Sequence, residues 1–259
     1  DSCNDLVAAT GSKTWNGTAW SPLGNPTIYD TVTLNAPYSA GSFSCNSLNF
    51  NGNNVTLSNG QSLEIVRGVS GTGKVIMSSE SSLVQRDGTA TKPQIELTKT
   101  TRAIKRYDYV YWGTPIVENA FSQLNNAIAD GQTTSGAFDY KFRYVSGDLG
   151  STGGWQSLTA TSPAQGFIMR VKQQAPFVDA TTAENINLTF IGTANNGDIT
   201  APIAYSSSSP SSARNNNLLA NPYPSAIDAD KFLEANTGLL DGAIYLWRAN
   251  TTNVSGASN

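Results

Sequence analysis

The side chains best equipped for chemistry in this chain are aromatic. Trp155 stands in the glycine-rich stretch SGDLGSTGGWQS and Trp112 directly precedes Gly113, within a sequence of five tryptophans and ten tyrosines. An indole flanked by Asn, Asp or Gln is suited to sugars, because the ring stacks on a pyranose face while the polar side chains take up hydroxyls. Both tryptophans are therefore candidate ligand-binding residues. Each has a plain structural alternative: Trp112 as an anchor in the core or at a domain junction, Trp155 as a loop residue folded back as a lid. Histidine is absent. That excludes Ser-His and Cys-His nucleophile pairs and every His-ligated metal site.

Glycoside cleavage needs two carboxylates about 5–10 Å apart, one of them kept protonated. The candidates are Asp108, Glu118, Asp139, Asp148, Asp228, Asp230 and Glu234. Asp228 and Asp230 are two apart at a predicted helix start, where they diverge and serve the helix dipole. Asp108, between Tyr107 and Tyr109, fits an ion pair with Arg102 or Arg106. No pair stands out, so no catalytic residue is assigned and the chain is expected not to be an enzyme. The segment DADKFLEANTGLLDG opens like a calcium loop, but Lys231 and Phe232 break the ligand pattern. Asn196–Asp198 and Asp241–Gly242 read as turns. No cofactor or metal ligand is assigned; a structural calcium is compatible with a β-rich domain, although no motif indicates one. Cys3 and Cys45 are expected to form a disulfide tying the N-terminus to the first repeat, since no histidine is present to activate a thiol.

The elements that must position these groups read as β-structure. The 259 residues suffice for one large or two modest domains. Residues 45–97 carry apolar strand centres at Leu57, Ile65, Ile76, Val84 and Ile95, with 57 to 76, 76 to 95 and 65 to 84 all separated by 19. Turn formers such as Ser58-Asn59-Gly60 and Asp87-Gly88-Thr89 lie between them. This period near 20 suggests β-solenoid rungs, with an antiparallel meander as the alternative.

Beyond residue 100 aromatic residues alternate with polar ones at Tyr107, Tyr109 and Tyr111, and again at Phe138, Tyr140, Phe142 and Tyr144. That is the period of half-buried strands. Segments 166–172, 186–191 and 242–248 are further strands, and together they suggest a β-sandwich of jelly-roll type. Two short helices interrupt it. One is read from Val117, Phe121, Leu124 and Ile128 and closed by Gly131. The other is capped by Ser225, with Asp228 at its third position and Gly238 at its end. Residues 205–217 read as an exposed low-complexity loop. The expectation is all-β: residues 1–100 solenoid-like, residues 101–259 a sandwich, the latter truncated at its C-terminus.

Charged residues are 14% of the chain and the net charge is −3. This leaves no electrostatic footprint for nucleic acid or anionic lipid, and no apolar run approaches the ~18 residues of a bilayer span. Lys99, Arg102, Lys105 and Arg106 divide between strand faces and are expected to be solvated.

Four phrases resemble a known group of proteins. IKRYDYVYWGTPI (104–116) is similar to the "RLDYTYWSSPV" signature, and NLLANPYPSAIDADKFLEAN (217–236) to "NLLGNPYPSAIDADAFL", of secreted surface proteins of gliding Bacteroidota. SPAQGFIMRV (162–171) resembles the strand usually found between them, and TWNGTAWSPLGNPT (14–27) their opening phrase. The resemblance implies export by the type IX secretion machinery, a secreted or cell-surface location, and a non-catalytic role as adhesin, stalk or self-assembling filament subunit. Carbohydrate binding is the first alternative and polysaccharide degradation the second; the implied partners are surface glycans, proteins or further copies. It also makes Tyr223, between two prolines, a structural corner. Asp30-Thr31-Val32 resembles the short O-glycosylation acceptor of this phylum, with Thr31 as the candidate residue.

Overall fold

The computed structural model of the chain describes residues 6–133, 135–146, 154–179, 181–205 and 215–246. The solenoid is present. On its first face β1 (Gly11–Trp15) pairs antiparallel with β2 (Trp20–Ser21) and parallel with β3 (Asp30–Leu34). The chain then passes to β4 (Phe43–Cys45) on another face, returns through β5 (Ser47–Asn49), and continues as β6 (Val55–Leu57) and β7 (Ser62–Ile65). The next rung repeats the order as β8 (Val69–Ser70), β9 (Lys74–Met77) and β10 (Ser82–Gln85), and β11 (Gln94–Thr100) follows. The faces are thus β1-β3-β5-β8, β6-β9-β11 and β4-β7-β10, each with parallel pairing.

Register corrects the expected spacing. Val55, Val75 and Ile95 stack in one column, Leu57, Met77 and Leu97 in the next, and Phe43, Leu63 and Leu83 in a third. The step in these columns is 20 residues, not 19. A slip of one residue turns a strand over, and so two of the expected interior residues face outward: Ile76 is half-buried and Val84 is 38% exposed. The outer faces carry polar pairs between neighbouring rungs: Lys74 with Glu96, Arg86 with Glu64 at 2.6 Å, and Arg67 with Asp87 at 3.9 Å. At the first rung Trp15, Trp20, Tyr38 and Phe43 close the interior, with ring centroids 4.8–5.5 Å apart.

The other end is closed by the sandwich. Strands β12 (Ile104–Lys105), β13 (Tyr109–Trp112), β14 (Ile128–Ala129), β15 (Phe138–Tyr144), β16 (Trp155–Ser157), β17 (Phe167–Val171), β18 (Ala183–Glu184) and β19 (Ile186–Thr193) follow. β19 pairs antiparallel with β11 from Gln94↔Thr193 to Thr100↔Asn187, so the solenoid face β6-β9-β11 continues as β19-β14. The second layer is β13-β17-β15-β16, and β12 pairs with β18. The layers meet at Trp112, whose ring lies 6.3 Å from Phe190 of β19 and 5.9 Å from Phe138 of β15. Solenoid and sandwich share one hydrophobic cluster, and the sheet crosses the expected boundary at residue 100.

Both helices exist in altered form. The first is a 3-10 helix, Phe121–Asn126, burying Leu124; Val117 is exposed and Ile128 belongs to β14. The second, α1 (Ala229–Ala235), is capped by Asp228, not Ser225: its carboxylate accepts from the backbone N–H of Asp230 and Lys231. An N-cap carboxylate satisfies two otherwise orphaned donors, which a residue three positions earlier cannot reach. The strand expected at 242–248 is absent over 242–246, where Tyr245 and Leu246 are exposed. Residues 247 and 248 and most of the 205–217 loop lie outside the described residues, as does Cys3.

Cys45 is buried as a free thiol, and no disulfide is found among the described residues. Burial first, then the nearby carboxylates of Glu64 and Asp30, push that thiol far above its ordinary range. Its side chain faces the interior column with Ile65 and Gln85.

Two outcomes are expected. Ile95→Ala should cost about 2–5 kcal/mol in denaturant unfolding and Ile76→Ala about 1 kcal/mol or less; a register of 19 would make Ile76 interior and equalise them. Cys45 should resist iodoacetamide in the folded protein and react after denaturation without reductant, as read by intact mass. Alkylation only after reduction would restore the disulfide.

Candidate functional site

The solvent face of β13-β17-β15-β16 gathers the aromatic side chains that the alternation placed on separate strands. Antiparallel partners share a face. Tyr109, Arg170 and Tyr140 form one cross-strand row, Tyr111, Ile168 and Phe142 the next, and Tyr144 and Trp155 a third. Tyr111 is 36% and Tyr140 44% exposed, and burial of part of the Tyr111 phenol pushes its pKa up, so it stays neutral. The Tyr144 and Trp155 rings meet edge to face at 5.1 Å. The opposite side chains of the same strands, Trp112, Phe167, Met169 and Val171, are buried in the core.

Arg170 is held at the centre. Its guanidinium lies 3.8 Å from the centroid of Tyr140, 5.6 Å from Tyr109 and 6.0 Å from Tyr107, while Arg106 lies 4.9 Å from Tyr107. The register explains the neighbour. Phe138 opposes Val171, so an unbroken ladder would set Asp139 opposite Arg170; a bulge at Asp139 sets Tyr140 there instead.

The two tryptophans singled out by sequence separate here. Trp155 is half-buried at the start of β16, on the edge of the aromatic face, not in a free loop; residues 147–153 before it, including Asp148, lie outside the described residues. Trp112 is 9% exposed and packs between the layers, with its Nε1 buried and without a hydrogen-bond partner among the described residues. It is an interlayer anchor. Sequence reasoning missed Arg170, Tyr140 and Tyr109 as a unit, although the alternation 107–111 and 138–144 was the signal for them.

Of the candidate carboxylates, Asp108, Glu118 and Asp228 are occupied structurally. Asp108 accepts from the Lys105 N–H and pairs with Arg102 at 3.7 Å, the ion pair its position suggested. Burial opposes the charge of Glu118, but hydrogen bonds from the hydroxyl and N–H of Thr193 hold its pKa below the usual value. Asp139 is exposed at its bulge, and Asp230 and Glu234 lie on the exposed α1. No group of three or more metal-ligating side chains occurs among the described residues. Thr31 is exposed on β3.

A second concavity, a cleft of about 600 Å³, runs along the edge of β10 between Leu83–Arg86, Asn195–Asp198 and Tyr223–Ser225. Most of its polar walls are bonded internally: Tyr223 donates to the Gly197 carbonyl at 2.7 Å, and Asn195 donates to Pro222 and Thr114. Tyr223 is the structural corner its sequence context implied. Gly113 belongs to this junction, for a Cβ there would collide with Ala220.

Fold and site together define an all-β molecule, a capped solenoid carrying a sandwich with an aromatic face. The chain belongs to the family described as a domain of unknown function (DUF8693), whose profile matches residues 8–259. No curated protein and no solved structure matches it.

Trp112→Ala should lower unfolding stability by about 3–5 kcal/mol, as for truncation of a core aromatic. Trp155→Ala should cost about 1 kcal/mol, the ordinary cost away from a core. Urea titration of both variants checks the separation; equal losses would make Trp155 a second core residue.

Proposed function

We propose that the chain is a non-catalytic recognition module of a secreted cell-surface protein, and that the outer face of β13-β17-β15-β16 binds glycan. The observation that carries this reading is the outward-facing platform of Tyr111 and Tyr140, which are exposed, with Tyr109, Phe142, Tyr144 and Trp155, which are half-buried. Folding alone does not reward such a surface, because those rings would be better buried. A row of aromatic faces on rigid strands suits a polymer of flat, hydroxylated rings, and pre-ordered side chains lower the entropy cost of binding it. The structural engagement of the carboxylates at 108, 118 and 228 supports a binding role over a hydrolytic one. Export through the type IX machinery of a gliding bacterium is the location this reading carries, on the resemblance of the four phrases.

A second reading, a self-assembling stalk or filament subunit, draws on β10. It ends the β4-β7-β10 face, and among the described residues only the Leu83 N–H is covered on its free edge, by the Pro224 carbonyl. Open strand edges recruit further strands. Scattering that rises with concentration and is unchanged by Trp155→Ala would favour that reading.

A glycan array with the folded chain should give saturable binding that Trp155→Ala weakens about tenfold, the scale of one lost stacking contact. A blank array with intact fold removes the glycan reading.

A further inference from the structure

Arg170 has a feature that platform chemistry alone does not require. Its guanidinium is surrounded by tyrosine rings, yet among the described residues it makes no ion pair and donates no hydrogen bond. The other described arginines are engaged: Arg86 with Glu64, Arg67 with Asp87, Arg102 with Asp108, Arg106 with the Val178 carbonyl at 3.3 Å, and Arg143 with the Gln156 side chain at 2.8 Å. The local sequence offered Arg170 a partner. In a regular ladder Asp139 would stand opposite it on the neighbouring strand, and the bulge removes that carboxylate and substitutes the Tyr140 ring.

We propose that Arg170 is the specificity-determining residue of this face, and that its ligand is a polysaccharide carrying carboxylates, a polyuronate. This rests on the glycan reading above and names its substrate class. A guanidinium stacked on a ring keeps its N–H edge free, and that edge matches a planar carboxylate with two parallel hydrogen bonds. The carboxylate of a uronic acid lies close to the mean plane of its pyranose ring. A sugar lying flat on the neighbouring rings therefore presents it edge-on, level with the guanidinium. Tyr107, Tyr109 and Tyr140 supply no competing anion, and Arg106 over Tyr107 adds positive charge at the same end of the face. Removing Asp139 from the row thus leaves a vacancy for an acidic group that the ligand brings.

The test is affinity electrophoresis of the full chain in polygalacturonate, in the same polymer fully methyl-esterified, and in a sulfated galactan. The acid form should bind about tenfold or more tightly than the ester, the scale of a charge-assisted hydrogen-bond pair. Arg170→Gln should abolish that difference, and Arg170→Lys, which keeps charge but not the planar fork, should retain only part of it. Unfolding midpoints within error of the parent chain confirm that each variant is folded. Equal binding of acid and ester overturns the polyuronate assignment and leaves the glycan reading standing. Preference for the sulfated galactan overturns it in the same way. No binding to any of the three, with binding absent from the array as well, overturns both.

Discussion

The ladder between β11 and β19 is the contact on which the rest of the molecule depends. A parallel solenoid ends by exposing a row of backbone donors and acceptors and an open apolar interior. Here the last strand of one face acquires an antiparallel partner along its whole length, from Gln94 to Thr100. The pairing keeps sidedness: Leu97 opposes Phe190 and Lys99 opposes Leu188, so the interior of the solenoid runs into the interior of the sandwich. On the outward side Thr98 and Thr189 share a 2.8 Å hydrogen bond, and Thr100 donates to Asn187 at 2.7 Å. Once β19 is fixed, Phe190 sets the position of Trp112, and Trp112 fixes which side of β13 faces solvent. The aromatic face is therefore a consequence of how the solenoid is closed.

The ends of the other faces are met by single contacts. The Val69 N–H donates to the Thr91 carbonyl, and the Leu83 N–H to that of Pro224. The second contact explains why the proline-flanked corner is placed where it is. Buried Asn195 donates to the carbonyls of both Thr114 and Pro222, which fastens the Trp112-Gly113-Thr114 turn to the corner. Each buried carbonyl left without its donor would cost about 1–3 kcal/mol. Gly113 lets Ala220 approach, and Gly88 and Gly197 touch backbone to backbone across the cleft. The two phrases most suggestive of a function thus meet each other at Thr114 and Pro222, while Tyr109 and Tyr111 of the first remain on the aromatic face.

Composition and alternation made the all-β class and most sandwich strands legible, including β17 and β19 almost to the residue. What failed did so where one residue changes the answer. Val75, Ile76 and Met77 are all apolar, so centres chosen by hydrophobicity alone aligned interior Leu57 with outward Ile76, and no local signal marks Ile76 as outward. Val117 to Ile128 has helical spacing, but tertiary pairing of Ile128 with Asn187 draws its end into a strand and leaves only a 3-10 turn. Trp155 was visible as a candidate because glycines isolate it. Its partners were not, since which strands sit beside β15 and β16 is a matter of topology. The bulge at Asp139 carries no glycine or proline to announce it.

The outer surfaces of the two halves differ in a way that folding does not demand. Along the solenoid, charges are balanced between rungs and the corners are tied by asparagine, as where Asn53 donates to the Leu34 carbonyl at 3.0 Å. Such a surface is largely self-sufficient, with Lys74, Arg86 and Arg67 each paired to a carboxylate of a neighbouring rung. The sandwich face departs from this at Arg170, where a cation is surrounded by rings and given no counter-charge. Cation–π contact offsets part of the loss, about 0.5–1 kcal/mol at an exposed site, but a carboxylate in the Asp139 position would satisfy the guanidinium more fully and would need only an unbroken ladder. A bulge that removes the available partner trades local electrostatic satisfaction for an open N–H edge. Unmet chemistry of this kind, on a rigid sheet whose other side is core, is what distinguishes a surface built to contact a ligand from one built to face water.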